Sequence, residues 1–262
     1  MTTLKTALIA STALFGFSAA AYAAPVLGLA GDKTLVMFDT DTRAVSGTKE
    51  VTGVDGLVGI DYRPGNQTVV GVTTENTIVT IDLETGAATE LSKMNTPLEI
   101  GDAAVVVDFN PMADRLRYMT GTTNHRVNVD TGEVTVDGSL AFEDGDMHKG
   151  ETPSIVAAAY INSYGKPEAT GMFDIDATIG GLIKQTAPND GTLAAIGKLG
   201  IDEMGDTIAF DIQTTQDGAN TAWLATGTTL YTVNLETGAA TEAGEISGLE
   251  WDLRDLTVLP AM

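Results

Sequence analysis

Residues 77–90 read TIVTIDLETGAATE, and residues 229–242 read TLYTVNLETGAATE. A chain that writes nearly the same stretch twice repeats either a site or a piece of scaffold, and the residue types decide which. In the first copy Val79, Ile81 and Leu83 alternate with Thr80 and Asp82, the period of two that puts apolar side chains on one face of a strand. The second copy sets Tyr231, Val233 and Leu235 against Thr232 and Asn234 in the same way. Each strand runs into Glu-Thr-Gly, whose glycine can take the left-handed backbone that a tight reversal needs, and Ala-Ala-Thr-Glu begins the return. The unit is a β-hairpin, and its repetition is a folding device.

Weaker copies are HRVNVDTGEVTV at 125–136, TLVMFDTDTRAVSG at 34–47, which has no glycine at the reversal, and GMFDIDATIGGLIKQ at 171–185. A second series is interleaved with these five: GIDYRP at 59–64, VDFNP at 107–111, AYIN at 159–162, FDIQ at 210–213 and RDLTV at 254–258. Aligned, it places Asp61, Asp108, Tyr160, Asp211 and Asp255 in one column, at separations of 47, 52, 51 and 44. Repetition at this period is what propeller blades produce, because one small sheet cannot bury both of its faces and must stack on its neighbours. The last column strand has only four residues after it, and the first hairpin has no column strand before it, so the two ends together make one blade. The expectation is an all-β chain whose residues 24–262 form a single β-propeller of five blades, closed by pairing of the N- and C-terminal strands. A six-bladed ring and an irregular β-sandwich are the alternatives.

The first 23 residues carry Lys5, an apolar run from Ala7 to Phe17 and the small-residue sequence Ala21-Tyr22-Ala23, the layout of a bacterial secretory signal peptide. The run is too short to span a bilayer, and no later segment predicts membrane insertion. Cleavage after Ala23 removes one lysine and no acid, taking the net charge from -22 to -23. That charge repels phosphate backbones and anionic lipid, so nucleic acid is excluded as a partner, and periplasm or medium is the expected address. The chain has no cysteine, which excludes disulfides, thiol nucleophiles and thiolate metal sites.

The column acids Asp61, Asp108, Asp211 and Asp255 stand on strands that a propeller brings close to its axis. Converging there, they are weak candidates for calcium, a hard cation that prefers oxygen ligands. The structural alternative is that each acid pairs with an arginine or caps a neighbouring backbone. Arg63, Arg115, Arg117, Arg126 and Arg254 stand near acids in these motifs and favour that alternative. Asn110, Asp114, Tyr160 and Asn162 complete the candidate axial network. His125 and His148 lack metal-ligand spacing and read as surface or loop residues. Trp223, Trp251, Tyr160 and Tyr164 offer a sugar platform, against which stands ordinary aromatic packing. There is no Gly-x-Ser-x-Gly elbow and no phosphate loop.

GIDYRP, DFNPMADRLRY, NHRVNVDTG, AAAYIN, QTAPNDGTLAAIGKLG, FDI and LYTVNLETGAAT, in this order, resemble a bacterial family catalogued as domain of unknown function 4394. The likeness covers almost the whole mature chain, and Asp108-Phe109-Asn110-Pro111 with Asp114-Arg115-Leu116-Arg117 is its most specific block. The resemblance implies an exported protein and no particular activity, substrate or cofactor. The loop Ser163–Ala169 departs from the family pattern in being brief and poor in asparagine. The functional expectation is an exported, non-enzymatic binding module for a small molecule, glycan or protein. The alternatives are a structural or matrix component and a metal-assisted hydrolase or lyase using the axial acids.

Overall fold

The computed structural model describes residues 24–101 and 103–260. The signal-peptide expectation falls on residues 1–23, outside the described residues. Among the described residues there is no helix, and strands follow one another along the chain.

The first strands are β1 (Pro25–Ala30), β2 (Thr34–Asp39) and β3 (Gly47–Glu50). Next come β4 (Leu57–Arg63), β5 (Thr68–Thr73), β6 (Thr77–Ile81) and β7 (Ala88–Lys93). The third group is β8 (Val105–Asn110), β9 (Arg115–Thr120), β10 (Thr123–Asn128) and β11 (Glu133–Val136). The short β12 (Ala141–Phe142) precedes β13 (Ile155–Tyr160), β14 (Met172–Asp176), β15 (Gly181–Ala187) and β16 (Thr192–Lys198). The chain ends with β17 (Ile208–Thr214), β18 (Asn220–Thr226), β19 (Thr229–Val233), β20 (Ala240–Glu245) and β21 (Leu253–Val258).

These strands form five antiparallel sheets, the blades of a five-bladed β-propeller. From the axis outward, blade one is β21-β1-β2-β3, blade two β4-β5-β6-β7 and blade three β8-β9-β10-β11. Blade four is β13-β14-β15-β16 with β12 added in parallel at the rim, and blade five is β17-β18-β19-β20. The ring is closed as the period predicts: β21 is the innermost strand of blade one and pairs with β1 from Val26↔Val258 to Ala30↔Leu253.

Burial follows from this stacking. Each blade is covered on both faces by its neighbours, so inner strands such as β5 (TVVGVT) and β14 (MFDID) are buried almost throughout instead of on alternate residues. Rim strands such as β7 and β20 have no buried residue. The apolar core accordingly divides into five clusters, one in each seam between adjacent blades. Near the axis the seams narrow: a Cβ on Gly59 would lie 2.5 Å from Val107 and 2.8 Å from Asp255.

The repeated stretch that marks the sequence lies on the outer hairpins β6-β7 and β19-β20. In both, the side chain at the strand end (Asp82 or Asn234) accepts bonds from the backbone N–H groups two and three residues on, and the glycine takes a left-handed conformation. At the glycineless reversal of 34–47, Arg43 adopts the left-handed conformation instead. The segment 171–185 is a hairpin too, but of the second and third strands of its blade, whereas the other four join the third and fourth. The outer hairpin of blade four is β15-β16, reversing through Asn189-Asp190-Gly191.

Candidate functional site

At the C-terminal ends of the inner strands the propeller opens into an axial pocket of about 540 Å³. Its floor contains Asp61, Asp108 and Asp211, from blades two, three and five, and a carboxylate oxygen of each lies within 4.8 Å of the others. Tyr62 and Phe109 follow two of these acids in sequence, and Ser163, Tyr164, Leu259 and Pro260 come from segments beyond the inner strands.

Each acid also bonds across a seam to the backbone of the next blade. Asp61 Oδ2 accepts the Phe109 N–H at 2.7 Å, Asp108 Oδ1 the Tyr160 N–H at 3.0 Å, and Asp211 Oδ2 the Val258 N–H at 2.6 Å. In every case the donor follows the residue that occupies the equivalent place on its own strand. This register shows that the ring of equivalent positions is Asp61, Asp108, Ala159, Asp211 and Thr257. The sequence column is corrected at two members: Tyr160 is one residue past Ala159, and Asp255 is two residues before Thr257. Asp255 therefore lies one side-chain layer deeper, where its Oδ2 accepts the Ile60 N–H at 2.8 Å, and it does not join the three converging acids. Thr257 takes its place in the ring, donating its hydroxyl to Asp61 Oδ1 at 2.8 Å.

The electrostatics set a limit on what holds this floor together. A hydrogen bond to a charged group contributes about 1.5–3 kcal/mol, whereas desolvating an ion costs several. Three ionised carboxylates are therefore not stable neighbours without positive charge. Burial pushes Asp61 and Asp108 well above the usual carboxylate range, and the neighbouring acids push them further. Burial also pushes Asp211 up to about 6, although its bonds from Val258 and Ile212 pull it down. Asp255 is raised as well, again chiefly by burial.

Arginines do not supply the positive charge. Arg63 spends its guanidinium on two carboxylates, Asp114 (2.6 and 2.7 Å) and Asp130 (2.7 and 2.8 Å), and lies over the Phe109 ring. Arg117, almost wholly buried, donates to Asp137 at 2.7 Å, to Asn124 at 2.8 Å and to the Tyr160 hydroxyl at 3.3 Å. Arg254 donates to the carbonyls of Gly31 and Leu57, and Arg115 to that of Asp114. The expectation that arginines pair with the axial acids is thus replaced by its companion, the capping of neighbouring backbone. Asn110 shapes its own turn, accepting from the N–H groups of Met112 and Ala113, and Asp114 takes a left-handed conformation beside it. Asn162 forms a reciprocal pair with Asn220, which holds the seam where Ala159 has no carboxylate to offer.

Two further expectations change. His125 is 3% exposed on β10 and is not a surface residue, and burial lowers its pKa. The aromatic platform does not assemble, because Tyr160 and Trp223 are buried and only Tyr164 of the four lines the pocket. Among the pocket residues that the sequence did not single out are Gln213 and Thr257. Their one signal is that each lies two residues from a column acid and so shares its face of the strand.

Over residues 34–257 the sequence matches the family described as Domain of unknown function (DUF4394). The chain belongs to the DUF4394 family. No curated protein matches this DUF4394 chain in sequence. Among solved structures it is similar to a protein of unknown function from Bacteroides thetaiotaomicron VPI-5482, with 14% identity, a TM-score of 0.53, and coverage of 93% of this chain and 68% of that one. A protein of unknown function from Bacteroides caccae gives 12%, 0.44, 84% and 72%. An auxiliary nutrient binding protein from Bacteroides ovatus ATCC 8483 gives 10%, 0.48, 87% and 57%. The first of these likenesses supports the fold of the DUF4394 chain and nothing beyond it.

Proposed function

We propose that this chain is an exported binding module that takes a small ligand in the axial pocket. The observation that carries the reading is the pocket itself. Its volume of about 540 Å³ falls within the range of small-molecule sites, roughly 300–1,000 Å³. It also joins apolar walls to a few converging polar groups, the usual makeup of such sites. Export rests on the basic residue, apolar run and Ala-x-Ala sequence of residues 1–23.

The test is a thermal-shift screen of the mature chain against glycans and metabolites, repeated on Tyr164→Ala. Tyr164 lines the pocket and is 45% exposed, so its truncation leaves the seams intact. A ligand present at a hundred times its Kd adds about 2.7 kcal/mol to stability, enough for a clear rise in melting temperature. The expected result is at least one compound that raises it, with the rise reduced in Tyr164→Ala. A screen with no shift, or shifts equal in the two proteins, overturns the proposal.

A further inference from the structure

The floor of the axial pocket has an excess of one charge. Asp61, Asp108 and Asp211 lie on it, exposed Asp217 also lines the pocket, and among the described residues no lysine, arginine or histidine does. The oxygens on the floor are not equally engaged. Asp61 and Asp211 each have both oxygens accepting from backbone N–H groups, Asp61 on Tyr62 and Phe109 and Asp211 on Ile212 and Val258. Asp108 accepts from Tyr160 through Oδ1, and among the described residues its Oδ2 has no donor.

Gln213 supplies an independent observation. It is 8% exposed, lines the pocket, and accepts the indole N–H of Trp223 through Oε1 at 3.1 Å. An indole nitrogen only donates, so this bond fixes which way round the amide is held. The Nε2 end is the one left over, and among the described residues it has no acceptor. Gln213 is thus a side chain more than nine-tenths buried whose one unengaged polar end stays accessible in a residue lining the pocket, a donor that an acceptor atom of a ligand would meet.

This arrangement separates two kinds of cation. A calcium ion takes six to eight oxygens, and a glutamine that served it would present its carbonyl. Here Trp223 holds the carbonyl, which leaves only the N–H₂ group for a ligand, the wrong pole for a metal. An organic ammonium donates directly to carboxylates and can carry a hydrogen-bond acceptor on an adjacent carbon. Half-buried Tyr62 and exposed Tyr164 also line the pocket, and aromatic rings at such a site favour a cationic ligand.

We infer that the ligand of the axial pocket is a small organic cation, an ammonium group seated on Asp61, Asp108 and Asp211 with a neighbouring oxygen accepting from Gln213 Nε2. The inference rests on the binding reading above and narrows it to a ligand class. Calorimetric titration of the mature chain at neutral pH tests it with glucosamine, N-acetylglucosamine and calcium chloride as probes. The two sugars share one ring and differ in whether the nitrogen is charged. The expected result is that glucosamine binds at least tenfold more tightly than its acetylated counterpart. Asp108→Asn keeps the oxygen that accepts from Tyr160 and replaces the open oxygen with a donor, so it should cost glucosamine tenfold or more in affinity. Equal or tighter binding of N-acetylglucosamine overturns the ammonium assignment while leaving the pocket as a binding site. Calcium binding without glucosamine binding overturns it in favour of a metal. If none of the three probes binds, the ammonium assignment falls, and the ligand screen with Tyr164→Ala decides the wider reading separately.

Discussion

Asp174 is fully buried on β14, and its only hydrogen-bonding neighbour among the described residues is Gln185, whose Nε2 reaches both carboxylate oxygens at 2.9 and 3.2 Å. Burial pushes this acid up to about 7, against the smaller opposing influences of Gln185 and Arg117, with Asp176 adding to the rise. An acid whose pKa is higher folded than unfolded holds its proton more tightly in the folded state. Its contribution is complete below the unfolded value near 4 and is lost as pH rises through about 7. Asp211, raised to about 6, acts in the same direction. The melting temperature is therefore expected to fall between about pH 4 and pH 7, and Asp174→Asn should flatten the fall. The asparagine also offers an N–H to Gln185 Oε1, which is buried without a partner. Calorimetry across that pH range checks this, and a variant as steep as the parent contradicts it. At this scale the sequence showed the axial acids but not their geometry. Asp255 and Thr257 both face the same way on β21, and only the bonds across the seam reveal which of them is level with Asp61. The open Nε2 of Gln213 depends on Trp223, ten residues away, a contact that no local pattern encodes.

The outer hairpins explain why the Glu-Thr-Gly stretch recurs. Gly86 of blade two lies against the rim strand of blade one, and a Cβ there would be 2.7 Å from the Glu50 carbonyl oxygen. Gly132 meets Lys93 of blade two, Gly191 meets Gly138 and Ser139, and Gly238 meets Gly197 of blade four, each through backbone. In blade one Arg43 lies beside Gly244, its carbonyl accepts the Ser247 N–H, and Val45 N–H donates back to Ser247. The reversal thus fastens each blade to the rim of the one before it, with bonds such as Thr52 N–H to Gly86 and Ala240 N–H to Leu199. Gly238→Ala should be destabilising twice over, through its left-handed φ of 80° and through the collision with Gly197. The expected loss is roughly 1–3 kcal/mol. Urea unfolding measures it, and a loss below about 0.5 kcal/mol would mean that the rim does not hold the blades. This element was legible because its turn chemistry is local. Blade four escaped the pattern because its outer turn is Asn-Asp-Gly flanked by irregular pairing on β15 and β16, while the more regular hairpin before it has the same Asp and glycine spacing.

The whole ring has no central core. Its apolar surface is shared among five seams, so each blade depends on two neighbours, and the period of about 48 residues made that architecture readable before any contact was known. The cost of such a design falls on the point where the chain begins and ends. β21 supplies the inner strand of blade one, buries Leu253, Leu256 and Val258 in the seam with blade five, and provides the Val258 N–H to Asp211 and the Thr257 hydroxyl to Asp61. Its Asp255 also caps Ile60 of blade two. Ending the chain after Asp252 therefore removes more than one strand: it opens two seams and leaves Asp211 and Asp61 each short of a donor. Because the remaining blades cannot cover their faces from one side, the truncated chain is expected to lose cooperative urea unfolding altogether instead of melting as a four-bladed remnant. Leu256→Ala is the milder probe of the same closure. It leaves every backbone bond of β21 in place and removes only packing, for an expected loss of about 2–5 kcal/mol. A truncated chain that unfolds in one sharp transition at the parent midpoint would show that the ring does not need its closing strand. Loss of the transition in the truncation, together with a shifted but still single transition in Leu256→Ala, is the outcome that closure by β21 requires.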